Sequence, residues 1–166
     1  MAYKLDTVCI HGSGQRKEID NTGSISFPIY QTAAYAHPGV GRSTGYDYSR
    51  VQNPTREEAE RIVADLEHGR EALAFSSGMA AVSAFMELFR PGDHIVATDD
   101  LYGGTIRQFR LINEKNGISV TYVDTSDLEQ IRAALQKNTK LIYLETPTNP
   151  MMQVTDIAAV SRIARE

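Results

Sequence analysis

The apolar positions of this chain change their rhythm near residue 53. Beyond that point, short continuous apolar runs alternate with segments whose apolar residues recur every three or four positions. Met79, Val82, Phe85, Met86 and Phe89 fall on one face of a helical period and predict a helix over 79–89. The runs at 72–75, 94–98, 119–123 and 140–144 are brief, apolar and bounded by turn residues, and they predict strands. Helices are expected between and after them, over 104–115, 127–136 and 156–165. An earlier helix begins at Asn53, a good N-cap, with Pro54 in the first helical position and Glu57 and Glu58 complementing the dipole. Its buried face is Ile62, Val63 and Leu66, and Gly69 is expected to end it. Strands that are continuously apolar and alternate with helices imply an α/β fold, a mostly parallel sheet covered by helices on both faces.

Residues 1–55 follow no such rule. Turn formers are frequent: Gly12, Ser13 and Gly14, then Asn21, Thr22 and Gly23, then Pro28, Pro38 and Gly39. Yet Ile25, Phe27, Ile29, Tyr30, Tyr35, Tyr46 and Tyr48 are too many large apolar groups for a solvated linker. The segment reads as an ordered arm that packs on something, and a neighbouring subunit is one candidate.

Composition narrows the class. With 166 residues, 42% hydrophobic and 23% charged, the chain is long enough for one ordinary core. A net charge of -4 and no basic run argue against nucleic acid. No apolar run is long enough to span a bilayer. The opening Met1-Ala2-Tyr3-Lys4-Leu5-Asp6 lacks the layout of a signal peptide. The single cysteine, Cys9, allows no internal disulfide and fits a reducing compartment, with cytoplasm as the default. Cys9 reads as a small buried hydrophobe rather than a nucleophile.

The chemistry concentrates at Ala74-Phe75-Ser76-Ser77-Gly78-Met79-Ala80-Ala81, where an apolar run turns through small residues into a helix. Such a turn aims free backbone N–H groups and the positive end of a helix dipole at one point, a natural place for phosphate. By itself it reads first as a serine cap with a glycine for close packing. Context comes from the other strand ends, which should converge on one edge. They carry Asp99-Asp100-Leu101-Tyr102-Gly103-Gly104-Thr105, then Asp124-Thr125-Ser126, then Glu145-Thr146-Pro147-Thr148-Asn149-Pro150. A phosphate cradle, an aromatic ring and a group of amides and carboxylates suit a flat, phosphorylated ligand.

Four segments together carry a resemblance: Tyr46-Asp47-Tyr48-Ser49-Arg50 with Asn53-Pro54-Thr55-Arg56, Ser76 to Ala81, Leu101 to Thr105, and Leu144 to Pro150. In order and spacing they resemble the cysteine/methionine-metabolism family of pyridoxal-phosphate (PLP) enzymes, which includes cystathionine γ-synthases, cystathionine β- and γ-lyases and methionine γ-lyases. A generic Rossmann-like domain would want a Gly-x-Gly-x-x-Gly turn, and residues 76–81 do not form one. The resemblance implies a fold type I PLP-dependent transferase-like architecture, incomplete in this chain. Residues 1–55 would be the arm contacting the neighbouring subunit, and 56–166 the first part of the large PLP-binding domain.

Residue by residue, the resemblance implies that Gly78 and Met79 present amides to the cofactor phosphate, with Ser77 near by. It implies that Tyr102 stacks on the pyridine ring and exchanges protons with substrate, and that Asn149 bonds the ring hydroxyl. Glu145 would support them from behind. Tyr48 and Arg50 would reach the phosphate of the neighbouring subunit in a homodimer or homotetramer. The family's covalent lysine and pyridine-nitrogen acid lie downstream of the last motif, and Lys4, Lys17, Lys115, Lys137 and Lys140 are poor substitutes. The chain therefore reads as the N-terminal part of a longer enzyme, inactive alone. Gly104 stands where methionine γ-lyases usually carry a cysteine, which favours the transsulfuration enzymes. The expected function is a lyase eliminating the sulfur group from cystathionine or a related small sulfur amino acid. The alternatives are a γ-synthase acting on an activated homoserine, or a non-catalytic phosphate-binding domain. No metal, membrane or nucleic acid is expected.

Overall fold

The computed structural model describes residues 3–13 and 23–166. Met1, Ala2, Gly14, Lys17, Asn21 and Thr22 lie outside the described residues. The chain divides into two compact units, Met1–Ala74 and Phe75–Glu166, with the arm and the helix that follows it in the first.

In the first unit, helix α1 is Leu5–His11 and helix α2 is Pro54–Leu66. The helix α1 was not expected, since seven residues with no buried side chain leave little periodicity to read. Cys9 lies on α1 and is exposed, which corrects the expectation of a buried cysteine. A helix this short buries no full face, and Cys9 falls on its solvent side. At the start of α2 the Asn53 side chain accepts from the Thr55 amide at 2.9 Å, while its own amide donates to Tyr30 O at 3.1 Å and Ser49 Oγ at 3.0 Å. One cap thus also anchors two stretches of the arm. Arg56 adds bonds to the carbonyls of Ser49 and Val51. Tyr46 donates to Glu57 at 2.8 Å, and burial beside that carboxylate pushes its phenol up to about 12. The helix ends at Leu66, and the left-handed residue beyond it is His68 at φ 53° rather than Gly69. Gly69 follows, its amide closing on Ala64 O at 2.8 Å.

The second unit holds α3 (Gly78–Met86), β1 (His94–Thr98), α4 (Gly103–Gln108), β2 (Ser119–Val123), α5 (Leu128–Ala134), β3 (Thr139–Tyr143) and α6 (Ile157–Ile163). All three strands are parallel, in the order β2-β1-β3. The central strand β1 is buried at every position. Alternation along the strands sorts two cores. Leu141 and Tyr143 join Ile95, Ala97, Phe109 and Met86 on one face, while Ile142 and Leu144 join Ile131, Val160 and Ile163 on the other. Helices α3 and α4 cover the first face, and α5 and α6 the second, which is the doubly covered parallel sheet the pattern implied.

Two elements differ from the pattern. Residues 72–75 form no strand, and Leu73 is 76% exposed. A strand exists only beside another strand, and among the described residues this apolar run has none; the Ala74 amide bonds the Glu60 carboxylate at 2.8 Å instead. The helix expected over 104–115 runs as α4 and then as a π turn over Phe109–Asn113, closed by the Glu114 amide on Phe109 O at 2.8 Å. A widened turn leaves no signature in a periodicity read at 3.6 residues.

His94 cross-links the sheet at the amino end of its strands. It is fully buried, with Nδ1 2.8 Å from Thr139 Oγ1 on β3 and Nε2 2.9 Å from Thr121 Oγ1 on β2. The Gln136 amide nitrogen also lies 3.2 Å from Nε2, so Nε2 accepts and Nδ1 carries the proton. Desolvation holds His94 below the usual histidine range. The unfolded chain therefore binds a proton that the folded chain refuses. Its contribution is complete above about pH 6.5 and is lost as the pH falls below that value. Urea unfolding between pH 7.5 and 5.5 should show wild-type stability declining on acidification, and His94→Asn declining less steeply. Parallel declines would remove His94 as the cause.

Candidate active site

Helix α3 starts with Ser77 as its cap, in extended backbone at φ -159°, its Oγ accepting from the Ala80 amide at 3.1 Å. The Ala81 amide bonds Ser77 O at 3.1 Å. That leaves the amides of Gly78 and Met79, the first two of the helix, with no acceptor among the described residues. Two free N–H groups at the positive end of a helix dipole attract an anion. Gly78 keeps the approach open, because a Cβ there would meet nothing within 4 Å. Its backbone needs no glycine for conformation, so the open space is what its missing side chain provides.

These groups border a cavity of about 540 Å³ lined by Ser77, Gly78, Met79, Val82, Tyr102, Thr105, Glu145 and Asn149. Tyr102, Glu145 and Asn149 follow the carboxyl ends of β1 and β3, where ligands of open parallel sheets bind, and Ser77, Gly78 and Met79 open α3. Tyr102 caps α4 and is half exposed. Its ring folds back over the start of α4: a Cβ on Gly104 would collide with the Tyr102 ring and approach Met79 Sδ at 3.1 Å. Glycine at 104 is what lets the ring take this position. Thr105 donates to Met79 Sδ at 3.9 Å and so ties α4 to the first turn of α3. Tyr143 packs edge-on against Phe109, at 5.2 Å between ring centres, and burial pushes its phenol up.

Glu145 serves two backbone donors, the Tyr102 amide at 2.9 Å and the Asn149 amide at 3.2 Å. Asp100 accepts from the Thr148 hydroxyl and from the Met151 amide at 2.9 Å. Both X–Pro bonds of this loop, Thr146–Pro147 and Asn149–Pro150, are cis.

Five of the residues singled out in the sequence, Ser77, Gly78, Met79, Tyr102 and Asn149, thus line one cavity, together with Glu145. Tyr48 and Arg50 belong to the first unit, where the Arg50 guanidinium lies 5.2 Å from the centre of the Tyr48 ring. Thr105 and Val82 also line the cavity, though their sequence reading was only as part of a motif and as a helix face. Asp100 was passed over because a carboxylate in a strand-end run gives no sign of which amide it will meet. Among the described residues no group of three or more His, Cys, Asp or Glu could hold a metal.

The model of a family described as Cys/Met metabolism PLP-dependent enzyme matches residues 6–166. The chain is 48% identical to the cystathionine gamma-lyase of Bacillus subtilis (strain 168) over 98% of its own length and 42% of that protein's. It is 45% identical to a probable cystathionine gamma-synthase of Herpetosiphon aurantiacus, covering 100% of this chain and 51% of that one. The crystal structure of cystathionine gamma-lyase from Lactobacillus plantarum complexed with L-serine superposes with a TM-score of 0.84 at 43% identity, over 98% of this chain and 42% of that one. The chain therefore spans about half the length of the curated relatives it matches.

The open space at Gly78 makes a specific claim about the phosphate. Gly78→Ala should fold with a stability change within about 1 kcal/mol, the helix-propensity difference between the two residues. Its affinity for pyridoxal 5′-phosphate should fall roughly tenfold or more, a loss of about 1.4 kcal/mol. Equilibrium dialysis against the cofactor measures this, and unchanged affinity would mean that the phosphate does not sit over residue 78.

Proposed function

The chain belongs to the Cys/Met-metabolism PLP-dependent enzyme family, and on that premise we propose that it is the cofactor-cradling part of a lyase that eliminates the sulfur group from cystathionine or a related sulfur amino acid. The observation that carries this reading is the pair of open amides at Gly78 and Met79 in the same cavity as Tyr102 and Asn149. The name of one relative favours a second reading, replacement chemistry of the γ-synthase type.

The donor set fits pyridoxal phosphate. Gly78 and Met79 would hold the phosphate through backbone N–H groups, with the Ser77 hydroxyl as a further donor. Tyr102 offers a flat face to the ring, and Asn149 an amide to the ring hydroxyl. When bound, the cofactor supplies an electron sink that stabilises negative charge at the substrate's α-carbon. The Tyr102 phenol oxygen would hold or move a proton between enzyme and substrate. Lys4, Lys115, Lys137 and Lys140 do not line the cavity, and we place the covalent lysine outside this chain. On this reading the 166 residues do no chemistry by themselves.

Tyr48 and Arg50 would serve the cofactor phosphate of a neighbouring subunit in a homodimer or homotetramer, where the guanidinium fork suits phosphate oxygens. Support comes from the arm's exposed apolar side chains, Ile25, Ile29, Val40 and Val51, which a partner surface would cover. We place the enzyme in the cytoplasm. Among the described residues no helix is long and apolar enough to cross a membrane.

The protein expressed in full from its gene tests the reading. It should release thiol from cystathionine only when loaded with pyridoxal phosphate. Tyr102→Phe keeps the flat face and should change cofactor affinity by less than about 1 kcal/mol, while turnover falls on the order of 100-fold. Tyr102→Ala should lose both. Full turnover in Tyr102→Phe would leave the hydroxyl without a chemical role. Site sharing predicts a second result. Arg50→Ala and a variant of the covalent lysine should each be inactive, and mixing them should restore part of the activity. No recovery after demonstrated subunit exchange would show that each site is built from one subunit.

A further inference from the structure

The loops that follow β1 and β3 exchange carboxylates. Glu145, just past β3, receives the Tyr102 amide from the β1 loop and the Asn149 amide from its own loop. Asp100, just past β1, receives the Thr148 hydroxyl and the Met151 amide from the β3 loop. Each loop therefore lends one carboxylate to the backbone of the other. The bonds are charge-assisted: Glu145 uses Oε2 for Tyr102 and Oε1 for Asn149, while Asp100 takes both Thr148 and Met151 on Oδ2. Glu145 is half-buried and Thr148 is buried, and the Thr148–Asp100 bond is the most sheltered of the four.

We propose that Asp100 and Glu145 are positioning residues forming one reciprocal clamp, which fixes Tyr102 and Asn149 across the cavity from each other. The argument is one of geometry. Tyr102 and Asn149 come from separate loops, and a ligand ring held between them needs both loops in register. Propensity supplies no such register, because Tyr102 is half exposed and Asn149 is exposed. The clamp supplies it by making the Tyr102 and Asn149 amides share one acceptor group. Its second half, through Asp100, keeps the β3 loop from swinging as a unit about Glu145. Loss of either carboxylate should therefore loosen both loops rather than only the donors it serves.

The consequence for the ligand rests on the pyridoxal-phosphate reading of the cavity, whereas the coupling of the loops does not. The experiment uses the protein expressed in full from its gene and reads amide hydrogen exchange with and without pyridoxal 5′-phosphate. In the unaltered protein the amides of Tyr102, Asn149 and Met151 should open together, with one protection level and one urea dependence. Asp100→Asn should speed exchange at Met151 and also, tenfold or more, at Tyr102 and Asn149, which Asp100 does not touch. Glu145→Gln should speed exchange at Met151 in the same way. Each isosteric variant should weaken cofactor affinity about tenfold and diminish the visible circular dichroism of the bound cofactor, and the double variant should be no worse than either single. Independent opening of the three amides in the unaltered protein would overturn the clamp even if a variant failed to fold. So would exchange confined to each carboxylate's own donors, or a double variant weakened a hundredfold. A protein whose amides are coupled but which takes up no pyridoxal phosphate would keep the clamp and overturn the functional reading instead.

Discussion

Strand β1 has to satisfy hydrogen bonds on both edges while both of its faces are buried. Everything else in the second unit follows from that requirement. Parallel neighbours need crossover helices, so α4 and α5 must leave and return on opposite faces. The two ends of β1 treat polar groups differently: the Thr98 hydroxyl at the carboxyl end is buried without a hydrogen-bond partner among the described residues. At its amino end His94 meets threonines on both neighbouring strands. At its carboxyl end the chain must leave the sheet, and the loop that brings Tyr102 to the cavity grows from that exit.

The same constraint concentrates electrostatics at one edge. Helix α3 presents two unsatisfied amides, and the loops after β1 and β3 present carboxylates that point at each other's backbone. Bare N–H groups and a carboxylate thus share one cavity, with Glu145 engaged by the Tyr102 and Asn149 amides and Asp100 by Thr148 and Met151. A carboxylate beside the open amides would compete with a phosphate. Hydrogen bonds from Tyr102 and Asn149 to Glu145 offset part of that competition.

Placed in its family, the chain spans about half the length of the relatives it matches, and it holds a cavity with two open amides at its edge. Gly78 and Gly104 contribute by what they lack, one leaving open space at the start of α3 and the other leaving room for a tyrosine ring. In the first unit the Arg50 guanidinium lies over the Tyr48 ring, and Val40 and Val51 are exposed.

Much of this was legible along the chain. The period of the apolar residues located β1, β2, β3 and the helices between them, because burial of a face imposes a repeat that any reader of the sequence can see. The cap at Asn53, the open turn at Ser77–Met79 and the grouping of Tyr102 with Asn149 were also legible, since each depends on residue types a few positions apart or at successive strand ends. The sequence could not tell that 72–75 would lie unpaired, because a strand is a property of two segments. Nor could it tell that α4 would widen into a π turn, that Cys9 would face solvent, or that Asp100 and Glu145 would trade amides across two loops. Those outcomes depend on which groups the folded backbone brings within three ångströms, and no pattern read along one strand of text carries that distance.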